Sequence, residues 1–126
     1  DETDWRLLRT TRAFYRQGCD DWRGHPYVGA VWYRIKVDVP AAAQGKKVLL
    51  CAPVVVTEAW CWVNGQYAGH RPYQEAYIRP AEMELDVTSF LRPGQTNVIA
   101  LRVDTSLSPA QAAEGLQSRV FLYTPK

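Results

Sequence analysis

The chain has 126 residues, 47% of them hydrophobic and 22% charged, and a formal net charge of +2. That size and balance fit one folded domain over residues 1–126 and exclude a disordered chain. The 15 Lys and Arg are scattered rather than concentrated, so no nucleic-acid partner is expected. The longest apolar run, VLLCAPVVV, is far short of the ~20 residues that span a bilayer and is broken by Pro53, so no membrane partner is expected either.

In chain order, DETDWRLLRT starts acidic and lacks the basic-then-apolar plan of a signal peptide. GAVWYRIKVDVP alternates strictly, with Val31, Tyr33, Ile35, Val37 and Val39 on one face and Trp32, Arg34, Lys36 and Asp38 on the other. That period of two predicts a half-buried strand ended by Pro40. QGKK turns the chain into KVLLCAPVVV, whose near-continuous apolar character predicts a buried strand. In EAWCWVNGQYAG, Ala59, Cys61 and Val63 share one face and Trp60 and Trp62 the other, and Asn64-Gly65 predicts a type I′ hairpin turn. The two tryptophans read as packing residues. From Gly69 onward the chain is expected to leave the hairpin for a long irregular loop through Met83. Pro93-Gly94 marks a turn before the alternating strand TNVIALRVDT, SLSPAQAAEGLQ reads as a polar loop with one helical turn, and SRVFLYTPK reads as a last strand. Six to eight short strands without a long amphipathic helix predict an antiparallel β-sandwich.

Catalytic and metal motifs are scarce. There is no G-x-S-x-G elbow, and neither His25 nor His70 sits in a nucleophile-and-base pattern. Asp20 and Asp21 are adjacent and would point to opposite sides of a strand, while Glu82, Glu84 and Asp86 alternate and read as one solvated face. Three cysteines, Cys19, Cys51 and Cys61, fit no zinc spacing and allow at most one internal disulfide, with Cys51 and Cys61 read as small core residues. No cofactor is expected. Structural calcium stays open but is not indicated, because no D-x-D-x-D-G pattern occurs and any site would be assembled from distant loops.

Aromatic and polar residues are interleaved in two stretches. CDDWRGHPYVGAVWYR holds Trp22, Arg23, His25, Tyr27, Trp32 and Tyr33, and GHRPYQEAYIRP holds His70, Arg71, Tyr73, Gln74, Glu75, Tyr77 and Arg79. A sugar presents a flat C–H face, which a ring can cover, and a rim of hydroxyls, which Arg, Glu and His can bind. The candidate ligand-binding residues are therefore Trp22, Arg23, His70, Arg71, Tyr73, Glu75 and Tyr77, and the local arginines point to an acidic sugar such as a uronic acid.

Several stretches occur in an order that carries a resemblance. DDWRG is followed by GAVWYRIKVDVP, then by GKKVLLCAPVVVTEAWCWVNGQYAGHR, then by LDVTSFLRPGQTNVIALRVD and GLQSRVFLY. This series resembles the N-terminal jelly-roll, galactose-binding-like domain of glycoside hydrolase family 2, the β-galactosidase and β-glucuronidase family. The segment RPYQEAYIRPAEMELDV departs from the G-G-Y-x-P-F of that family, with Tyr73 at the tyrosine position. The resemblance implies an all-β jelly-roll fold and catalytic acids in a separate barrel domain of the parent chain.

The expected function is thus a non-catalytic carbohydrate-binding module of an extracellular or periplasmic glycan-degrading enzyme. Its partners would be an oligo- or polysaccharide and a catalytic glycoside hydrolase domain. The alternative is an accessory domain that packs on that catalytic domain and binds no ligand.

Overall fold

A computed structural model describes residues 3–74, 81–107 and 115–126. Among them are seven strands: β1 (Ala30–Asp38), β2 (Leu49–Ala52), β3 (Thr57–Val63), β4 (Gln66–Gln74), β5 (Met83–Asp86), β6 (Thr96–Asp104) and β7 (Phe121–Tyr123). Short 3₁₀ turns at Phe14–Gln17, Ala41–Ala43 and Thr88–Phe90 complete the regular structure described. The strands form two antiparallel sheets, ordered β1-β6-β3-β4 and β5-β2-β7. The fold is the expected antiparallel β-sandwich.

The alternating sequences produce the two faces they predict. In β6, Ile99, Leu101 and Val103 are buried while Val98, Ala100 and Arg102 between them are only partly covered. In β1, Tyr33 is buried and Trp32, Arg34, Lys36 and Asp38 are exposed. The inner faces meet in one core around Leu50, Met83, Val63, Leu101, Val103 and Leu116, all fully buried. Tyr33 reaches across this core, and its hydroxyl accepts the Leu116 N–H at 3.4 Å. Gly115 makes that approach possible. Its φ is +63°, and a Cβ there would lie 2.6 Å from the Tyr33 oxygen.

Two stretches differ from expectation. The apolar run after Lys47 forms a strand only over Leu49–Ala52, because Pro53 has no N–H to give a ladder. Beyond it Val55 and Val56 stay buried outside the named strands. Cys61 is buried in the core as expected, but Cys51 lies half-buried, opposite Glu84 and Phe121.

The second difference is the hairpin. Asn64 and Gly65 take φ values of +51° and +79°, as a type I′ turn requires. The Asn64 side chain also donates to Phe90 O and Asn97 Oδ1 and accepts from Val98 N, tying the turn to the neighbouring connection. Instead of ending near Gly69, β4 continues to Gln74. It is the last strand of its sheet, where Pro72 is tolerated because one side of the backbone has no ladder to supply. A register shift between Cys61 and Trp62 gives the strand a bulge, so that Cys61 opposes Gly69 and Trp62 opposes Tyr67.

Candidate functional site

The register of the four-stranded sheet brings its large residues onto the outward face. Trp32 on β1 lies beside Arg102 on β6, Arg102 beside Trp60 on β3, and Trp60 beside His70 on β4. The next row is Arg34, Ala100, Trp62 and Tyr67. Ala100 is small, so the indoles of Trp32 and Trp62 meet above it with centroids 5.0 Å apart and planes at 39°. Trp62 in turn meets Tyr67 edge-on at 5.6 Å. The result is a line of three tilted rings crossing the strands. Its outer members are 47% (Trp32) and 54% (Tyr67) exposed, and Trp62 is wedged between them.

Polar groups border this line. The His70 ring stacks on Trp60 at 4.9 Å and 19°, and its Nε2 lies 2.7 Å from Glu58 Oε1. The Arg102 guanidinium lies 4.5 Å from the Trp60 centroid and donates to Asp104 Oδ2 at 2.9 Å. Partial burial works against ionisation of Asp104. Bonds from Ser106 and Arg102 outweigh it and hold the carboxyl below its ordinary value. The face therefore combines ring surfaces, two cationic or protonatable groups and two carboxylates.

The residues singled out in the sequence fall in different surroundings. Trp22 is 86% exposed, with the Arg23 guanidinium 4.6 Å from its ring centre. Their loop is tightly built: Asp21 Oδ1 accepts from the backbone N–H of Arg23 and His25 at 2.8 and 2.9 Å, and the bond from His25 leads in holding Asp21 below its ordinary pKa. His70 belongs to the aromatic face. Arg71, its neighbour in β4, points the other way and is only 7% exposed. Its guanidinium donates to the Val55 carbonyl and, at 3.3 Å, to Gln74 Oε1, joining β4 to the segment after β2. Tyr73 is half-buried on β4. Glu75 and Tyr77 lie outside the described residues.

Trp62, Tyr67 and Arg102 were not candidates by sequence, and Trp32 stood in the interleaved aromatic stretch without being assigned to the site. One signal was there: a two-residue Asn64-Gly65 turn sets Val63 against Gln66 and places Trp62 against Tyr67 as an aromatic cross-strand pair. Among the described residues, no group of three or more His, Cys, Asp or Glu is arranged to hold a metal ion. The carboxyls among them with displaced pKa values, Asp21, Asp86 and Asp104, are all held low, Asp86 chiefly by bonds from Thr88.

The fold and this face define an antiparallel sandwich carrying an outward aromatic strip, and comparison with known proteins gives it a context. No protein-family model matches the chain. It is 31% identical over 117 residues to a protein of Formosa agariphila named "Putative beta-glucuronidase", covering 87% of this chain and 11% of that protein. Among solved structures, a glycosyl hydrolase family 2 member from Bacteroides cellulosilyticus matches with a TM-score of 0.78 and 24% identity, over 98% of this chain and 17% of that one. The β-D-glucuronidase of Dictyoglomus thermophilum matches with a TM-score of 0.60 and 23% identity, over 70% of this chain and 14% of that one. The chain thus resembles a domain within family 2 glycoside hydrolases, as its ordered motifs imply, and it spans between 11% and 17% of the length of the relatives that match most of it.

Proposed function

We propose that the chain is a non-catalytic, carbohydrate-binding accessory domain of a glycan-degrading enzyme, and that the outward face of the four-stranded sheet is its binding surface. The observation that carries this reading is the Trp32–Trp62–Tyr67 line, with its outer rings half in water. Rings presented to solvent beside Arg102, Asp104, Glu58 and His70 match the two chemistries of a sugar, an apolar C–H face and a hydroxyl rim.

A second reading is favoured by a separate observation, the small share of its relatives that the chain spans. A domain taken from a much longer enzyme exposes the surface on which its neighbour packs, and the aromatic strip would then be an interdomain contact. One experiment separates the two. In affinity electrophoresis through gels containing xylan, β-glucan, mannan or polygalacturonate, the intact chain is expected to be retarded by at least one polymer. Trp32→Ala and Tyr67→Ala are expected to weaken that retardation about tenfold, as truncation of a central aromatic does at a binding surface. Trp22→Ala in the same gel reports whether the exposed Trp22–Arg23 loop takes part. No retardation by any polymer overturns the sugar reading. The packing reading then predicts that Trp32→Ala weakens association with the catalytic domain.

A further inference from the structure

The aromatic line has an end. Residues 5–10 join neither sheet. Instead they form a strap whose Trp5, Arg6, Leu7, Leu8 and Thr10 line, with residues 32–35 of β1, a recess of about 240 Å³ at the edge of the sheet. The strap is fastened at several points. Arg6 Nη1 donates to Gly18 O at 2.6 Å, and the Gln17 amide accepts from Arg9 N at 2.7 Å while donating to Arg9 O at 2.9 Å and Arg12 O at 2.8 Å. Between these ties Leu8 packs against the core. A wall held this way is a fixed boundary.

We infer that this recess takes the terminal unit of a glycan whose following units lie across Trp32, Trp62 and Tyr67, so that the domain recognises chain ends rather than chain interiors. The inference rests on the reading of the aromatic face as a sugar surface and gives that surface its ligand class. Three observations lead to it. Trp32 belongs to both places: it meets Trp62 on the face and lines the recess. From the Tyr67 ring to the Trp32 ring, through centroid steps of 5.6 and 5.0 Å, the line is at most about 11 Å long, which suits a short oligosaccharide laid across the strands. The recess lies below the ~300–1,000 Å³ of pockets for drug-sized ligands, so it suits a single sugar ring.

The chemistry of the recess agrees with its size. Trp5, 47% exposed, and Trp32 supply two indoles, and Arg34 supplies a cationic donor. β1 is the terminal strand of its sheet, so alternate backbone N–H and C=O groups point away from β6 on this side. A sugar entering from Trp32 would find ring surface and hydrogen-bonding groups together, and the strap would stop a further unit from following.

The test is a count of binding sites. The intact chain is titrated calorimetrically with linear β-glucan, xylan, mannan and polygalacturonate, each as a long fraction and as a hydrolysed short fraction at equal sugar mass. Chain-end recognition predicts that sites per unit mass rise in proportion to the number of ends. Trp5→Ala is expected to weaken binding of the short fraction about tenfold, as loss of an aromatic anchor does. Sites per sugar unit that do not change with chain length overturn the inference. So does an unaltered affinity in Trp5→Ala while Trp32→Ala and Tyr67→Ala still bind weakly, a result in which the sugar face stands and the glycan runs past the strap. If neither fraction of any polymer binds, the sugar reading and the inference fall together. Comparing a bound oligosaccharide with its borohydride-reduced form then tells which end is held.

Discussion

The two faces of β3 use opposite kinds of residue. Inward it presents Thr57, Ala59, Cys61 and Val63, all small and all buried. Outward it presents Glu58, Trp60 and Trp62, whose rings lie against Arg102, His70, Trp32 and Tyr67. A strand built for core stability would reverse this, because burying an aromatic ring removes far more apolar area from water than burying Ala or Cys. The core instead draws its bulk from the other strands, through Leu50, Met83 and Leu101. The same contrast holds along β6, where Leu101 faces in and Arg102 out. Large residues on the wet side, held in register by four strands, are placed for contact with something else.

The contrast makes a ranked set of expectations. The largest effect belongs to the inner face. Leu101→Ala should lower the unfolding free energy by about 2–5 kcal/mol in urea titration, the usual range for a fully buried leucine whose cavity cannot collapse.

Next comes alkaline pH, which also acts through the inner face. Burial pushes the Cys61 thiol up to about 12 from 9.0, and burial pushes the Tyr33 phenol up to about 12 from 10.0. Both groups are neutral in the folded state over a range where the unfolded chain ionises them. The stability they contribute is therefore complete below pH 9, declines as pH rises from there, and is exhausted near pH 12. For Cys61 the decline is about 1.4 kcal/mol per pH unit within that window. Urea midpoints should fall above pH 9, and Cys61→Ala should flatten the first part of the fall. A slope unchanged by that substitution would mean that the inner face of β3 is wetter than its burial implies.

How much of this was legible depends on what alternation can report. In β1 and β6 the two faces differ in polarity as well as in spacing, so Tyr33 and Leu101 could be assigned inward and Arg34 and Arg102 outward from sequence. In β3 both faces are apolar. Period two shows that Trp60 and Trp62 share a side but not that the side is solvent, which depends on where the second sheet lies. The Asn64-Gly65 turn was plain because only a few residues accept positive φ at both positions. The far end of β4 was hidden by Pro72, which argues against a strand until the strand is known to lie at an edge. That single ambiguity moved His70 and Arg71 into a loop, whereas as neighbours on one strand they must face opposite ways. Arg71 thus serves the interior and His70 the aromatic face. The strap and its recess were not legible, because Arg6, Arg9 and Gln17 meet through side-chain bonds to backbone that no local pattern encodes.

The smallest expected effect is the most direct test of the contrast. Trp62→Ala removes more atoms than Leu101→Ala, yet it leaves an open surface rather than a closed cavity. Its stability loss comes from two ring contacts, to Trp32 and to Tyr67, each worth about 0.5–1.5 kcal/mol beyond the apolar area that the half-buried indole keeps from water. The expected loss in urea is about 1–2 kcal/mol, at or below the low end of the range for Leu101→Ala. Glycan affinity should move the other way, falling more than in Leu101→Ala, because Trp62 is the wedge that sets the angles of both exposed rings. Parallel titrations of the two variants, one with urea and one with polysaccharide, read both quantities on the same samples. If Trp62→Ala proved the more destabilising and the less damaging to binding, the outward rings would be structural and β3 would carry its stability on its wet side.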